Sequence, residues 1–339
     1  MAISEQYRPQ LDGVRAFAIG GVLYSHYWDE GSMFGHVGVR LFFVLSGYLI
    51  TLMLIENLDR RADGGGQPLW HFYVRRALRL WPAYMLILGL AALLDLQNIR
   101  DTFWWHFFYA TNFLFAITNE WQPWTTAGWW SLSVEEQFYL VWPALLLVTP
   151  RRCREIMALT CCALGVAVRM SIAPDTVAFT TLPFNSLDAL SGGALLAMVD
   201  HRGKLSRWFP LVTPIAAAAI ILSWRFSGWF ILHVDEMLFV ILFMGIVAFA
   251  RHGHGGPAQW ILGNPVTRYI GRISYGMYLY HLFAMAILLK YGSPYFDMFQ
   301  HRGWGLMLFG SILTILIATL SWYLVEAPMN RLKKRFPFP

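Results

Sequence analysis

The sequence predicts an all-α integral membrane protein, a bundle of about ten transmembrane helices with both termini cytosolic. Three observations carry this. Hydrophobic residues make up 57% of the 339 positions and charged residues only 14%, far from the balance of a soluble domain. Ten apolar runs are long enough to span, near residues 12–28, 38–55, 80–95, 134–149, 156–172, 185–199, 210–224, 230–250, 270–290 and 304–326. The Lys and Arg residues fall in the short connections between these runs. With the N-terminus cytosolic, all but Arg40, Arg100, Arg169, Arg225, Lys290 and Arg302 lie on or beside the cytosolic side.

That distribution also decides an eleventh candidate, residues 102–118 (TFWWHFFYATNFLFAIT), as interfacial. If it crossed, everything after it would invert and most Lys and Arg would face outward. The net charge of +6 therefore orients the protein in lipid, and nucleic-acid binding is set aside. Sixteen Trp and fifteen Tyr suit interfacial belts. Cys153, Cys161 and Cys162 show no metal-type spacing and read as packing residues; no metal site is expected. The N-terminus lacks a signal-peptide pattern, so the first span is expected to be retained. No repeat or low-complexity tract appears, and residues 1–339 read as one membrane domain with no appended soluble domain.

The first span, LDGVRAFAIGGVLYSH (Leu11 to His26), contains ionisable groups at a depth where they are expensive. Arg15 and His26 are eleven residues apart, about three turns with about 20° of offset, so both lie on one face about 16 Å apart. Arg15 is either an anchor or a fixed cation at a site, and His26 either an interfacial residue or a base. In the second span, Ser46 and Gly47 of FFVLSG read as packing residues that allow close helix approach.

Residues 56–79 form the longest cytosolic segment, a basic loop with Gly64-Gly65-Gly66 followed by HFYVRRALRLWPAY. Arg75 and Arg79 share a helical face. With Arg76 and Arg15 they make either a positive-inside anchor or a guanidinium cluster suited to phosphates, with Tyr73 alongside. Opening the fourth span, GWWSLSVEEQFY (Gly128 to Tyr139) carries Trp130, Ser131, Glu135 and Glu136. Ser133 and Glu136 fit a capping box, whereas Glu135 has no structural excuse, and either carboxylate can orient His26. The sixth span holds Asn185, Asp188 and Gly192 at helical spacing. In the ninth, ISYGMYLYHL puts Ser274, Tyr278 and His281 on one face. Asp188, Tyr278, His281, Trp130 and Ser131 are candidate substrate contacts, and each has an ordinary packing alternative. The last span ends in Glu326 and a basic tail, Arg331 to Arg335, which reads as a cytosolic anchor.

The Arg-x10-His pair of LDGVRAFAIGGVLYSH, then GVRLFFVLSGYLIT, FYVRRALRLWPAY, WSLSVEEQFYLVWP and ISYGMYLYHL, in this order, resemble the membrane-bound acyltransferase family 3 over nearly the whole chain. The resemblance implies about ten helices and transfer of an acyl group, often acetyl, from cytosolic acyl-CoA to hydroxyls of glycans or other acceptors at or beyond the membrane. It matches Arg15 and His26 to the family's essential pair, Arg75, Arg76 and Arg79 to its basic motif, and Glu135 and Glu136 to its acidic motif. Arg40 departs from it, because many members have an acidic residue there. The expected partners are acyl-CoA as co-substrate rather than a resident cofactor, a glycan or other hydroxyl-bearing acceptor, and membrane lipids, in a multi-pass cell-membrane protein. The rival from another class is a multi-pass transporter or flippase of a polar or glycolipid substrate, with Asp188 and His281 as a relay. The absence of internal repeats weighs against it.

Overall fold

Backbone groups that leave water must find partners inside the chain. The computed structural model, which describes residues 8–205, 209–223, 229–252 and 256–338, satisfies them with helices, and no strand occurs among the described residues. In chain order the helices are α1 (Pro9–Tyr27), α2 (Phe34–Ala62), α3 (Leu69–Leu93), the short α4 (Phe103–Phe107) and α5 (Thr111–Thr118), α6 (Trp129–Val148), α7 (Arg154–Met170), the short α8 (Val177–Thr181), α9 (Leu187–His201), α10 (Val212–Ser223), α11 (Trp229–His252), the short α12 (Pro257–Leu262), α13 (Pro265–Ile287), α14 (Ser311–Ser321) and the short α15 (Ala327–Arg331). Arg225, assigned above to the outer side, lies outside the described residues.

Each of the ten apolar runs coincides with a helix. Five stretches are long and apolar enough to cross a membrane: Phe34–Ala62, Leu69–Leu93, His233–His252, Pro265–Gly292 and Leu306–Arg335. The other five runs form helices of 12 to 20 residues. The protein is therefore a membrane-embedded multi-helix bundle whose outward faces carry Leu, Ile, Phe and Trp. Residues 102–118 do not form one helix. The chain breaks at Tyr109, whose φ is 52°, and eight residues of α5 cover only about 12 Å, too little to cross. His106 is buried at that break, bonded to Thr111 Oγ1 at 2.8 Å, while its carbonyl accepts from Tyr84.

The basic loop expected over residues 56–79 is shorter than its sequence suggests. Glu56 still belongs to α2 and the arginines ride on α3, leaving a connection of residues 63–68. Asn57 closes it by bonding both backbone groups of Gln67. The bundle is centred on α1, α2, α9 and α13. A Cβ on Gly47 would lie 1.9 Å from Leu190 O, and one on Gly193 2.0 Å from Val44 O, so α2 and α9 touch backbone to backbone at reciprocal glycines. Gly47→Ala is therefore expected to destabilise the bundle by about 1–3 kcal/mol, seen as a lower thermal midpoint in detergent.

Candidate active site

A cavity of about 430 Å³ lies between α1, α2, α3, α6 and α13. Along α2 its wall is a stripe at helical spacing, Val39, Phe42, Ser46, Leu49, Met53 and Glu56. One end is strongly charged, with Arg15, Arg76, Arg79 and Arg251 among its lining. The other is closed by Ser131 and Tyr278, whose hydroxyls are 2.6 Å apart, and Tyr278 also donates to Gly128 O at 3.0 Å.

Each arginine is held by something different. Arg15 Nη1 bonds Asp12 one turn earlier at 2.9 Å. The Arg76 guanidinium lies 4.0 Å from the centre of the Tyr139 ring, a cation–π contact. Arg79 faces both Arg15 and Arg76, so three guanidinium groups converge here, with Asp12, Glu135, Glu136 and Glu326 among the carboxylates around them. Arg75 leaves the group that its spacing suggested. Its Nη1 is directed at the carbonyls of Lys333 and Phe336 in the tail, and it lines a second, shallower basic recess with Arg60, Lys333 and Lys334. The pair that faces the cavity is Arg76 and Arg79, at i and i+3. Tyr73 donates to Leu140 O and is not among the cavity-lining residues.

The carboxylates differ from expectation. α6 begins at Trp129, four residues before Ser133, and Ser133 Oγ donates to Trp129 O inside the helix, so Ser133 and Glu136 form no capping box. Glu135 accepts from Ser46 at 2.8 Å and from Tyr139 at 3.2 Å; Ser46 is thus a polar contact as well as a packing residue. Glu136 is enclosed near Trp81 and Arg76. Both carboxylates lie in the field of Arg76, and His26 is not among the groups acting on either of them.

The ring against His26 is that of His281, with centroids 4.9 Å apart. His281 is one turn past Tyr278 on α13, so the histidine pair sits just beyond the closed end of the cavity. Arg302, in the connection after α13, donates through Nε to His26 O at 2.9 Å and pairs with Glu30. The two ends of one face of α1 therefore meet different chemistry, convergent cations at Arg15 and paired imidazoles at His26. Of the remaining candidates, Trp130 packs its ring edge-on against Phe43, and Ser131 and Tyr278 form the cavity's end.

Asp188 is engaged elsewhere. It takes a two-pronged bond from Arg40, at 3.0 and 2.8 Å, and another from Arg169 at 2.8 Å. Arg40 also pairs with Glu236 at 3.0 Å, which accepts from His36. This accounts for Arg40: buried at 2% exposure, it balances two carboxylates from α9 and α11. Asp188, offered above as one member of a relay with His281, is engaged by these two guanidinium groups instead. Sequence reasoning missed Ser46, Tyr139, Arg251 and the buried Glu326, which lies beside Arg79. Their long-range partners, Glu135 for Ser46, Arg76 for Tyr139, Asp200 for Arg251 and Arg79 for Glu326, are far off in sequence, while Tyr139 and Glu326 also have near partners in Glu135 and Ser321; only the Ser46–Glu135 and Ser131–Tyr278 pairs carried any prior signal, as members of singled-out motifs. Among the described residues no cluster of three metal-binding side chains forms.

A family model described as an acyltransferase domain, acyltransferase 3, matches residues 8–326. The chain is similar to the peptidoglycan O-acetyltransferase OatA of Listeria monocytogenes, 31% identical over 97% of this chain and 56% of that protein. It is also similar to the putative peptidoglycan O-acetyltransferase YrhL of Bacillus subtilis, 29% identical over 96% and 55%, and to a putative O-acetyltransferase of Staphylococcus aureus, 28% identical over 96% and 58%. The chain thus spans a little over half the length of these relatives. No solved structure matches. With one family model running from the start of α1 to Glu326, through the arginine-lined cavity and the histidine pair, the chain belongs to the acyltransferase 3 family.

Proposed function

We propose that the protein moves an acyl group, acetyl by the names of its relatives, from cytosolic acyl-CoA to a hydroxyl of a cell-surface glycan or lipid-linked sugar. The ten helices that coincide with apolar runs would all span, with both termini cytosolic and the Arg15 end of the cavity facing the cytosol. The observation that carries the proposal is the cavity itself, which runs from the convergent arginines to the Ser131–Tyr278 pair, with the histidine pair just beyond that closed end. Phosphates of the donor dock at Arg15, Arg76 and Arg79, where guanidinium forks suit them. The pantetheine arm follows the apolar stripe of α2 toward Tyr278 and Ser131, about 16 Å from Arg15 being the rise to His26. His26 removes the proton of the acceptor hydroxyl as its oxygen attacks the thioester carbon. The carbon–sulfur bond breaks and CoA leaves as the thiol. Glu135, bonded by Ser46 and Tyr139, balances the arginines and keeps Arg76 stacked on Tyr139.

The test is release of CoA from acetyl-CoA by purified protein in detergent, with and without extracted surface glycan. Release that requires both the glycan and His26 supports the transferase; glycan-independent or absent release, with no binding of acetyl-CoA, overturns it. The docking site makes a second prediction. Arg76→Ala is expected to weaken acetyl-CoA binding by about 1.5–3 kcal/mol, roughly ten- to hundredfold in Kd. Arg75→Ala, whose side chain faces the tail, is expected to have the smaller effect. Titration of both variants by calorimetry checks the order.

A further inference from the structure

His281 is 1% exposed, and its Nδ1 lies 2.7 Å from Tyr278 O. A carbonyl oxygen only accepts, so Nδ1 carries the hydrogen and the neutral ring keeps its lone pair on Nε2. Nε2 is enclosed and has no hydrogen-bond partner among the described residues. A histidine retained for packing alone gains nothing from an enclosed, unmet acceptor, and such atoms call for a reason.

The surroundings hold that ring against His26. Tyr27, the next residue after His26, donates to the carbonyl of His281 at 2.7 Å and shares its hydroxyl with Thr314 Oγ1 at 2.6 Å. This locks α1 and α13 in register at the level of the two imidazoles. On the other side, a Cβ at Gly128 would come within 3.3 Å of His281 Cε1, so a residue without a side chain gives the ring its space. Tyr278, the carbonyl partner, is also the residue that closes the cavity.

We propose that His281 is the proton-accepting partner of His26, a positioning residue that acts through it; this rests on the reading of His26 as the base. As the acceptor hydroxyl gives its proton to the free nitrogen of His26, the two rings, 4.9 Å apart between centroids, close to hydrogen-bond distance and the hydrogen on the opposite nitrogen of His26 passes to His281 Nε2. The acceptor oxygen bonds the acyl carbon, the carbon–sulfur bond breaks, and its electron pair stays on the CoA sulfur. The proton then returns through His26 to that thiolate, giving CoA as the thiol and both rings neutral as they began. While His281 is charged, its Nδ1–H still donates to Tyr278 O, a bond strengthened by the charge.

The experiment uses His281→Asn, which keeps a donor toward Tyr278 O but has nothing at Nε2, and His281→Gln, which keeps an acceptor there that takes no proton. In the glycan-dependent CoA-release assay both are expected to lose about a hundredfold in kcat with KM, acetyl-CoA affinity and thermal midpoint as in wild type. Rate measured against deuterium fraction of the solvent is expected to curve for wild type, with more than one proton in flight, and to be linear for the variants. A kcat close to wild type in either variant overturns the proposal. So does a loss accompanied by falls in donor affinity and midpoint in both variants, which marks a structural role. The base reading fails separately, if His26→Ala retains wild-type transfer.

Discussion

Replacing His26 with Ala is expected to abolish acyl transfer while acetyl-CoA still binds. General-base catalysis contributes about 10²–10⁴ in rate, and of the rings of His26, Tyr27 and Tyr278 that lie against His281, that of His26 alone is an imidazole. Under the proposed docking the donor's phosphates lie at the opposite end of α1, about 16 Å away, so Kd for acetyl-CoA is expected to match wild type by calorimetry while CoA release falls to background. Equal losses of binding and turnover would instead place the donor's reactive end and its phosphates in one small site. A His26→Ala protein that transfers normally would remove the base altogether.

The second large effect is on stability. Asp188→Ala removes the shared partner of Arg40 and Arg169, both almost wholly enclosed. Breaking a buried pair from one side costs about 3–5 kcal/mol, because an uncompensated charge stays in the apolar interior. Here two guanidinium groups lose a partner, although Arg40 keeps Glu236 at 3.0 Å. The expected outcome is a steep loss of monodisperse protein and of thermal midpoint. Combining Asp188→Ala with Arg169→Met is expected to recover part of the loss, since it deletes the charge left without a counterion; the interaction is read from the double-mutant cycle. Loss of transfer with the midpoint intact would return Asp188 to the substrate contacts.

Much of the architecture is legible in the chain because it depends on local pattern. Apolar run length places the helices, and the register of Arg15 and His26 on α1 follows from helical periodicity alone. The arginine motif shows where periodicity stops helping. Residues 75 and 79 do share a face, but which face of α3 turns toward α1 is decided by packing, and that face carries Arg76 and Arg79. The acidic motif shows the same limit. A capping box at Ser133 and Glu136 was the local solution, yet α6 starts a full turn earlier because Trp129 buries against α13. Arg40 was visible as a departure from the family pattern, while its answer, Asp188 and Glu236, lies 148 and 196 positions away in sequence. The pairing of His26 with His281 is likewise a matter of which helices meet, and nothing local encodes it.

The reciprocal glycines of α2 and α9 have a mechanical consequence. Where two backbones touch, with Gly47 against Leu190 and Gly193 against Val44, neither helix can slide or roll without a steric collision. α2 is thus a fixed rail along one side of the cavity. Room for a long, flexible donor to thread inward has to come from the opposite wall, where α3 and α6 meet α2 through side chains such as Glu135 and Ser46. Those contacts can part and re-form at the cost of single hydrogen bonds, so under the proposed function the donor is expected to enter on that side only, with α1 and α13 kept in register by the bond from Tyr27 to His281 O.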